Sequence, residues 1–254
     1  MATTQVDALP RLGGPDENLI LSALPPGELS RLLEHGESRM FDARHRLAEP
    51  GAPMSHVFFP LSGVVSLITT VSGGSGVEVA MVGREGMVGV PIALGGDSWP
   101  NVRVVQQVRG RSLAIETGRF RAVLDRSPAL HAVLDAYVRA LLSQAAQEIA
   151  CNRLHAVEER TSRWLLITHD RVGTRSFPLT QEFLAEVLGV RRPSVSIAAG
   201  ALARAGAIRY HRGRIHIVKR AELERHSCEC YRVIRDELDR LRTSWVRPSG
   251  NGDR

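Results

Sequence analysis

The sequence predicts an α+β chain: an N-terminal antiparallel β-roll of jelly-roll type, one long helix, and a C-terminal helix pair closed by a two-stranded hairpin. Three observations predict it. Between Phe41 and Ile115 the apolar residues come in short β-rich runs separated by glycine turns. From Pro128 to about Asn152 they recur at helical spacing. From Leu179 to Ile217 two short amphipathic helices lead into alternating apolar and basic residues. A chain of 254 residues accommodates two domains of ordinary size. The expected boundaries are 15–126 for the roll, 127–152 for the long helix, 153–225 for the helix pair and hairpin, and 226–254 for a C-terminal helix and tail.

Residues 1 to about 14 mix Thr, Pro and Gly without a period and read as a loose arm. Asn18 to Gly36 reads as a helical segment carrying Leu19, Ile20, Leu21, Leu24, Leu29, Leu32 and Leu33. Strands follow at Val57–Phe59, Val64–Val71, Val77–Val82, Val102–Val108 and Ser112–Ile115, with turns at Ser72–Gly76 and Arg109–Arg111. The run Gly83-Arg84-Glu85-Gly86-Met87-Val88-Gly89 is the tightest corner of this half. Thr117 to Leu124 is a short helix, and Ser127-Pro128 supplies the cap and first turn of the long one. In that helix Leu130, Leu134, Tyr137 and Leu141 step by four, three and four, the spacing of a coiled-coil seam, which Ala145 and Ile149 continue with a shift.

The helix pair has clear start and stop signals. Thr180 can cap the first helix, whose apolar face is Phe183, Leu184, Val187 and Leu188, and Gly189 frees the backbone for a sharp turn. Pro193 suits the opening of the second helix, because its missing N–H has no partner there. Val195, Ala198, Ala199 and Leu202 form the inward face, and Gly206 ends the helix. The small residues Ala185, Ala198 and Ala199 let the helices cross closely, as a helix-turn-helix requires. With Val195 inward, Pro193, Ile197, Gly200 and Arg204 project outward, and Arg191, Arg192, Ser194 and Ser196 gather at the helix start. Ile208 and Tyr210 then alternate with Arg209 and His211, and Ile215 and Ile217 with Arg214 and His216, around an Arg212-Gly213 turn. This is a wing, apolar inside and basic outside. Arg220 to Leu241 reads as one further helix, and the chain from Arg247 onward as disordered.

Charge follows the same division. Residues 1–150 hold 13 basic and 15 acidic side chains, a net of −2, and residues 151–254 hold 20 and 12, a net of +8. The basic half is the one with the helix-turn-helix, as a polyphosphate partner requires. Neither a membrane-spanning run nor a signal pattern is present, so a cytoplasmic protein is expected. Cys151, Cys228 and Cys230 make no even disulfide framework. His226, Cys228 and Cys230 lack a second ligand pair by spacing, so buried thiols and no metal or other cofactor are expected. A nucleophile–base motif, a metal quartet and a Gly-Lys phosphate loop are all lacking, which argues against an enzyme.

The segment His155–Leu223 resembles the DNA-binding domain of the Crp/Fnr family of bacterial transcription regulators. The likeness is carried by Glu159-Arg160, Trp164-Leu165-Leu166, Leu179-Thr180-Gln181, Leu184-Ala185, Leu188-Gly189-Val190, Arg192, Val195-Ser196, Leu202, Gly206, Ile208 and Gly213-Arg214-Ile215. The upstream half resembles that family's cyclic-nucleotide-binding-like roll. The resemblance implies a homodimer, paired through the long helix at Leu130, Leu134, Tyr137 and Leu141, on a palindromic operator in double-stranded DNA, with RNA polymerase as a further partner. It implies that Arg192 reads a guanine with Ile197 beside it on an apolar base edge. Phosphates would be held by Thr180, Gln181, Arg191, Ser194 and the wing residues Arg212 and Arg214, with Ser196 also in the DNA-binding set. The family's recognition set is Arg-Glu-x-x-x-Arg; here Pro193 and Ile197 replace its second and last members, so a different operator is expected. In the roll, Met87 stands at the family's ribose-binding Glu, Gly89 at its Ala, and Pro100-Asn101 at its phosphate-binding Arg pair. A buried phosphate without its cation is costly, so cyclic AMP bound in the usual way is not expected. An unknown small-molecule effector would meet Arg84, Gly86, Met87, Val88, Gly89 and Arg103. A second reading, motivated by the helix beyond the wing, is a small-molecule sensor acting mainly through a protein partner.

Overall fold

The computed structural model describes residues 6–7, 18–71 and 76–245. In chain order the elements are β1 (Val6–Asp7), α1 (Leu19–Ser22), α2 (Pro26–Leu33), β2 (Gly36–Phe41), β3 (Arg46–Ala48), β4 (His56–Pro60), β5 (Val64–Thr70), β6 (Gly76–Val82), α3 (Val90–Ala93), β7 (Val102–Val108), β8 (Gly110–Glu116) and α4 (Thr117–Leu124). The long helix α5 (Pro128–Leu154) follows, then α6 (Val157–Val172), β9 (Ser176–Pro178), α7 (Gln181–Leu188), α8 (Arg192–Arg204), β10 (Ile208–His211), β11 (Arg214–Ile217), α9 (Arg220–Arg225) and α10 (Cys230–Trp245). The expected turn at residues 72–75 and tail from Arg247 lie outside the described residues, as does the arm apart from Val6–Asp7.

The roll is two four-stranded antiparallel sheets, in the orders β1-β2-β8-β4 and β3-β7-β5-β6. Val57, Phe59, Val65, Leu67, Ala80, Val104, Leu113 and Ile115 fill the space between them. The β5 run Val64–Ile68 is buried along its whole length, because the second sheet is covered on both faces. Val64, Ile68, Met81, Val105 and Val108 belong instead to a second core, which they share with Trp164, Leu166 and Ile167 of α6 and with the helix pair. The buried Asn18 side chain caps α1 and donates to the Pro60 carbonyl at 3.0 Å and the Gly86 carbonyl at 2.8 Å, pinning α1 to the glycine corner.

Three expected elements differ from the structure. The segment Asn18–Gly36 is two helices, interrupted before Pro26, whose ring cannot continue a helix already running. Arg220–Leu241 is also two, with a break at His226–Glu229 that turns Cys228 inward. The third difference lies on α5. Ser127 caps it as expected, its hydroxyl accepting from the Leu130 N–H at 3.2 Å. However, Leu130, Leu134, Tyr137 and Leu141 are buried in the core of their own roll, so these four are not free to meet a second chain. The face that α5 turns to solvent is Asp135, Arg139, Leu142, Ala146, Ile149 and Arg153, again at alternating steps of four and three. On it Leu142 is 65% and Ile149 67% exposed. The seam pattern in the sequence is thus the roll-facing stripe, and the stripe with apolar side chains to spare lies beside it.

Candidate nucleic-acid interface

The winged helix forms as its signals require. Thr180 Oγ1 accepts from the Phe183 N–H at 3.2 Å, capping α7. Gly189 closes α7 in the left-handed region at φ 62°, where a side chain would be strained, and α8 starts three residues later with Pro193 in its first turn. Val195, Ala198, Ala199 and Leu202 are buried against α6 and α7. β10 pairs with β11, and β11 pairs on its far side with β9, a short strand with little sequence signal, making a three-stranded wing sheet. Tyr210 donates to the Leu179 carbonyl at 2.7 Å and locks the wing to the start of α7.

What remains exposed is one basic face. Arg191, Arg192, Ser196 and Ile197 are exposed at the start of α8, with Ser194 partly so, and Ile197 is 72% exposed. On the wing, Arg209, His211, Arg212, Arg214 and His216 are exposed, with Arg212 at the tip in the left-handed region (φ 46°). Several of these side chains have partners within the chain. Arg192 Nε lies 3.1 Å from Glu182 Oε1, both well exposed. Such a surface pair contributes only about 0–1 kcal/mol, less than the roughly 1–3 kcal/mol of a bidentate guanine contact, so DNA can displace it. Ser196 donates to Gln181 Oε1 at 2.8 Å, so these two act as a unit. Thr180 also accepts from Arg44 of the roll at 2.8 Å, so both acceptor positions of its hydroxyl are used within the chain. Arg44 and Glu182 are the contributors that sequence reasoning missed; nothing in the pattern links Arg44 to a residue 136 positions away.

The six residues expected to form an effector pocket do not line one cleft. Met87 and Val88 are buried in the roll core. Tyr137 of α5 donates to the Met87 carbonyl at 3.1 Å, and a side chain at Gly86 would collide with the Tyr137 ring. A Cβ on Gly89 would meet Val57. Arg103 is paired with Glu186 of α7, across the contact between roll and winged helix. Arg84 alone of the six lines the cleft of about 390 Å³ between the roll, α6 and α10, where Arg171, Arg220 and Arg235 face Glu85, Asp170 and Asp239. The physical reason is packing: the corner that a ligand would enter is filled by α5 of the same chain.

The contact between roll and winged helix is itself polar at its centre. Trp164 of α6 donates to Glu78 of β6 at 2.8 Å. Burial pushes the Glu78 carboxyl up to about 8, so it is protonated at neutral pH. Arg171 reaches Glu85 at 2.7 Å, and Gln107 donates to Thr168 at 3.0 Å. Behind them Arg163 pairs with Glu148 of α5, both fully buried. Beside this pair the three cysteines, 77 residues apart at the extremes of one contact, converge with His155. His226 lies away from Cys228 and Cys230, against Glu158 at 2.8 Å, and the donor atoms that do converge on those two cysteines are those of Cys151 and His155, which sequence spacing did not show. Among the described residues no helix is long and apolar enough to cross a membrane.

Comparison with known proteins agrees with this geometry. The family model of the Crp-like helix-turn-helix domain matches residues 159–226, from the start of α6 to the end of the wing and α9. Among solved structures, the c-di-GMP-responsive global regulator CLP of Xanthomonas campestris superposes with a TM-score of 0.63 at 16% identity, over 77% of this chain and 100% of its own. FixK2 of Bradyrhizobium japonicum gives 0.64 at 15% identity, over 76% and 98%. A CRP-family transcriptional regulator of Thermus thermophilus gives 0.62 at 18% identity, over 74% and 95%. No curated protein matches the chain in sequence.

Proposed function

Because the chain carries a Crp-like helix-turn-helix domain on the fold of the Crp/Fnr regulators, we propose that it is a dimeric, sequence-specific DNA-binding transcription regulator of the cytoplasm. The observation that carries this reading is the exposure of Arg191, Arg192 and Ile197 on α8 together with Arg212 and Arg214 on the wing. α8 enters the major groove, Arg192 exchanges Glu182 for a guanine edge, and Ile197 meets a thymine methyl. Arg191, Ser194, Arg212 and Arg214 hold phosphates, with Gln181 and Ser196 acting jointly. The second chain joins along the exposed stripe Leu142–Ala146–Ile149 of α5, which gives one continuous lever from the dimer axis to α6 and the recognition helices. RNA polymerase is the expected protein partner of the DNA-bound dimer.

Cyclic AMP is not the effector in this reading, because Tyr137 packs into the glycine corner and Arg103 is engaged by Glu186. A thermal shift measured with saturating cyclic AMP is expected to be absent. The reading that places the output on a protein partner drew on the helix beyond the wing. That helix, α10, packs Tyr231, Ile234 and Leu241 onto its own chain, which favours DNA as the main target.

Selection of ligand-free protein on a random duplex library at physiological salt tests the proposal. The expected result is an enriched two-fold palindrome with half-sites about one helical turn apart. Only salt-sensitive binding without enrichment, unchanged by a metabolite pool, would remove the sequence-specific reading and leave the protein-partner one.

A further inference from the structure

Cys151 and His155 lie at the end of α5, one helical turn apart, while Cys228 sits in the break between α9 and α10 and Cys230 opens α10. One ligand atom from each lies within 4.8 Å of every other. The Sγ atoms of Cys151 and Cys228 are 3.5 Å apart, and Cys230 Sγ is 3.5 Å from His155 Nδ1. In a tetrahedral ion with zinc–sulfur bonds of about 2.3 Å and zinc–nitrogen bonds of about 2.0–2.1 Å, the edges between ligand atoms are roughly 3.6–3.8 Å. Two of the distances between donor atoms thus match the edges of one coordination sphere, and the rest lie within 4.8 Å. The three thiols are buried and form a group of their own, separate from both apolar cores.

The surroundings are those of a ligand set as well. Gln147 Nε2 donates to Cys230 Sγ at 3.0 Å, a bond that favours the thiolate. Glu229 Oε1 lies 3.3 Å from His155 Nε2, on the ring nitrogen opposite the cluster. A carboxylate in that place holds the proton on Nε2 and turns the Nδ1 lone pair toward a metal. Buried core thiols would need neither partner.

We propose that Cys151, His155, Cys228 and Cys230 are the four ligands of a single zinc ion that fastens the end of α5 to the start of α10. Binding replaces three thiol protons with one divalent ion and leaves the site with one net negative charge, beside the buried Arg163 guanidinium. The protein fills all four positions, so the site is structural and has no place for a substrate. Donor atoms this close surround one ion; an iron–sulfur cluster would need them spread over several irons. The site also accounts for the break between α9 and α10: a continuous helix could not turn Cys228 and Cys230 to the same point while keeping Tyr231 and Ile234 buried.

The test uses full-length protein purified under reducing conditions without added metal. Elemental analysis is expected to find about one zinc per chain. The Cys228→Ser/Cys230→Ser double variant is expected to retain less than about a tenth of it. As that variant could misfold, wild-type protein is also stripped with chelator and given one equivalent of Co²⁺. Intense visible bands of a tetrahedral thiolate site are expected, displaced by Zn²⁺, and weakened but not abolished in His155→Ala. Metal-free protein that takes up neither ion, a Cys151–Cys228 disulfide as the resting state, or an iron–sulfur absorption spectrum would each overturn the proposal.

Discussion

Ile197 and Arg192 are both exposed on the first half of α8 but differ in how they are held. Ile197 touches water over most of its surface, whereas Arg192 rests on Glu182. Arg192→Ala is expected to relax preference at one base position and to cost about 1–3 kcal/mol on the preferred site, measured by competition binding. Equal loss on every duplex would make it a phosphate contact. Glu78 gives a pH prediction. Its carboxyl ionises near 8 in the folded chain, against 4.5 for the free group. The folded state therefore binds the extra proton, its contribution to stability is complete below about pH 4.5, and it is lost as the pH rises toward 8. Urea midpoints should fall across that window, and Glu78→Gln should flatten the fall while keeping an acceptor for Trp164. The outward face of α8 was legible in the sequence, since Thr180, Gly189, Pro193 and Gly206 fix the helix ends and so decide which side chains face out. Glu78 was not, because its protonation follows from burial under a helix that begins some eighty positions later.

At the scale of elements, α5 has two apolar stripes and separates two phenotypes. Leu134→Ala removes a side chain from the roll core and should cost about 2–5 kcal/mol of stability with the oligomeric state retained. The Leu142→Glu/Ile149→Glu pair should leave folding intact and shift sedimentation to the monomer. Reversal of these outcomes would return the dimer contact to the Leu130–Leu141 stripe. Periodicity alone could not separate the stripes, as both repeat at steps of three and four, and only the position of the roll decides which is covered. The break before α10 was equally hidden. His226–Glu229 contains neither proline nor glycine, so the helix ends there for tertiary reasons. The break at Pro25-Pro26 carried a local signal and could have been read.

At the scale of the molecule, the roll and the winged helix share an apolar core and a row of polar contacts, although the charge division suggested separate bodies. Unfolding should therefore be cooperative across both halves in calorimetry. Glu85→Ala removes the carboxylate that holds Arg171 at 2.7 Å, leaving it the Met81 carbonyl, and should cost about 1–3 kcal/mol. Hydrogen exchange in α6 should accelerate more than in the sheet β1-β2-β8-β4. Separate transitions in the wild-type chain would contradict a shared core.

The path of α10 has a consequence for how the protein is made. Leu241 lies in the same core as Ile20, Leu21 and the strands of the roll, and Trp245 packs against it. Nascent chains fold from the N-terminus as they leave the ribosome. Here the roll emerges with a gap that only residues translated after the wing can fill. A ribosome stalled after the wing would display a roll lacking its final side chains, a ready substrate for chaperones and proteases. Emergence of α10, rather than completion of the roll strands, is the moment at which the fold becomes secure.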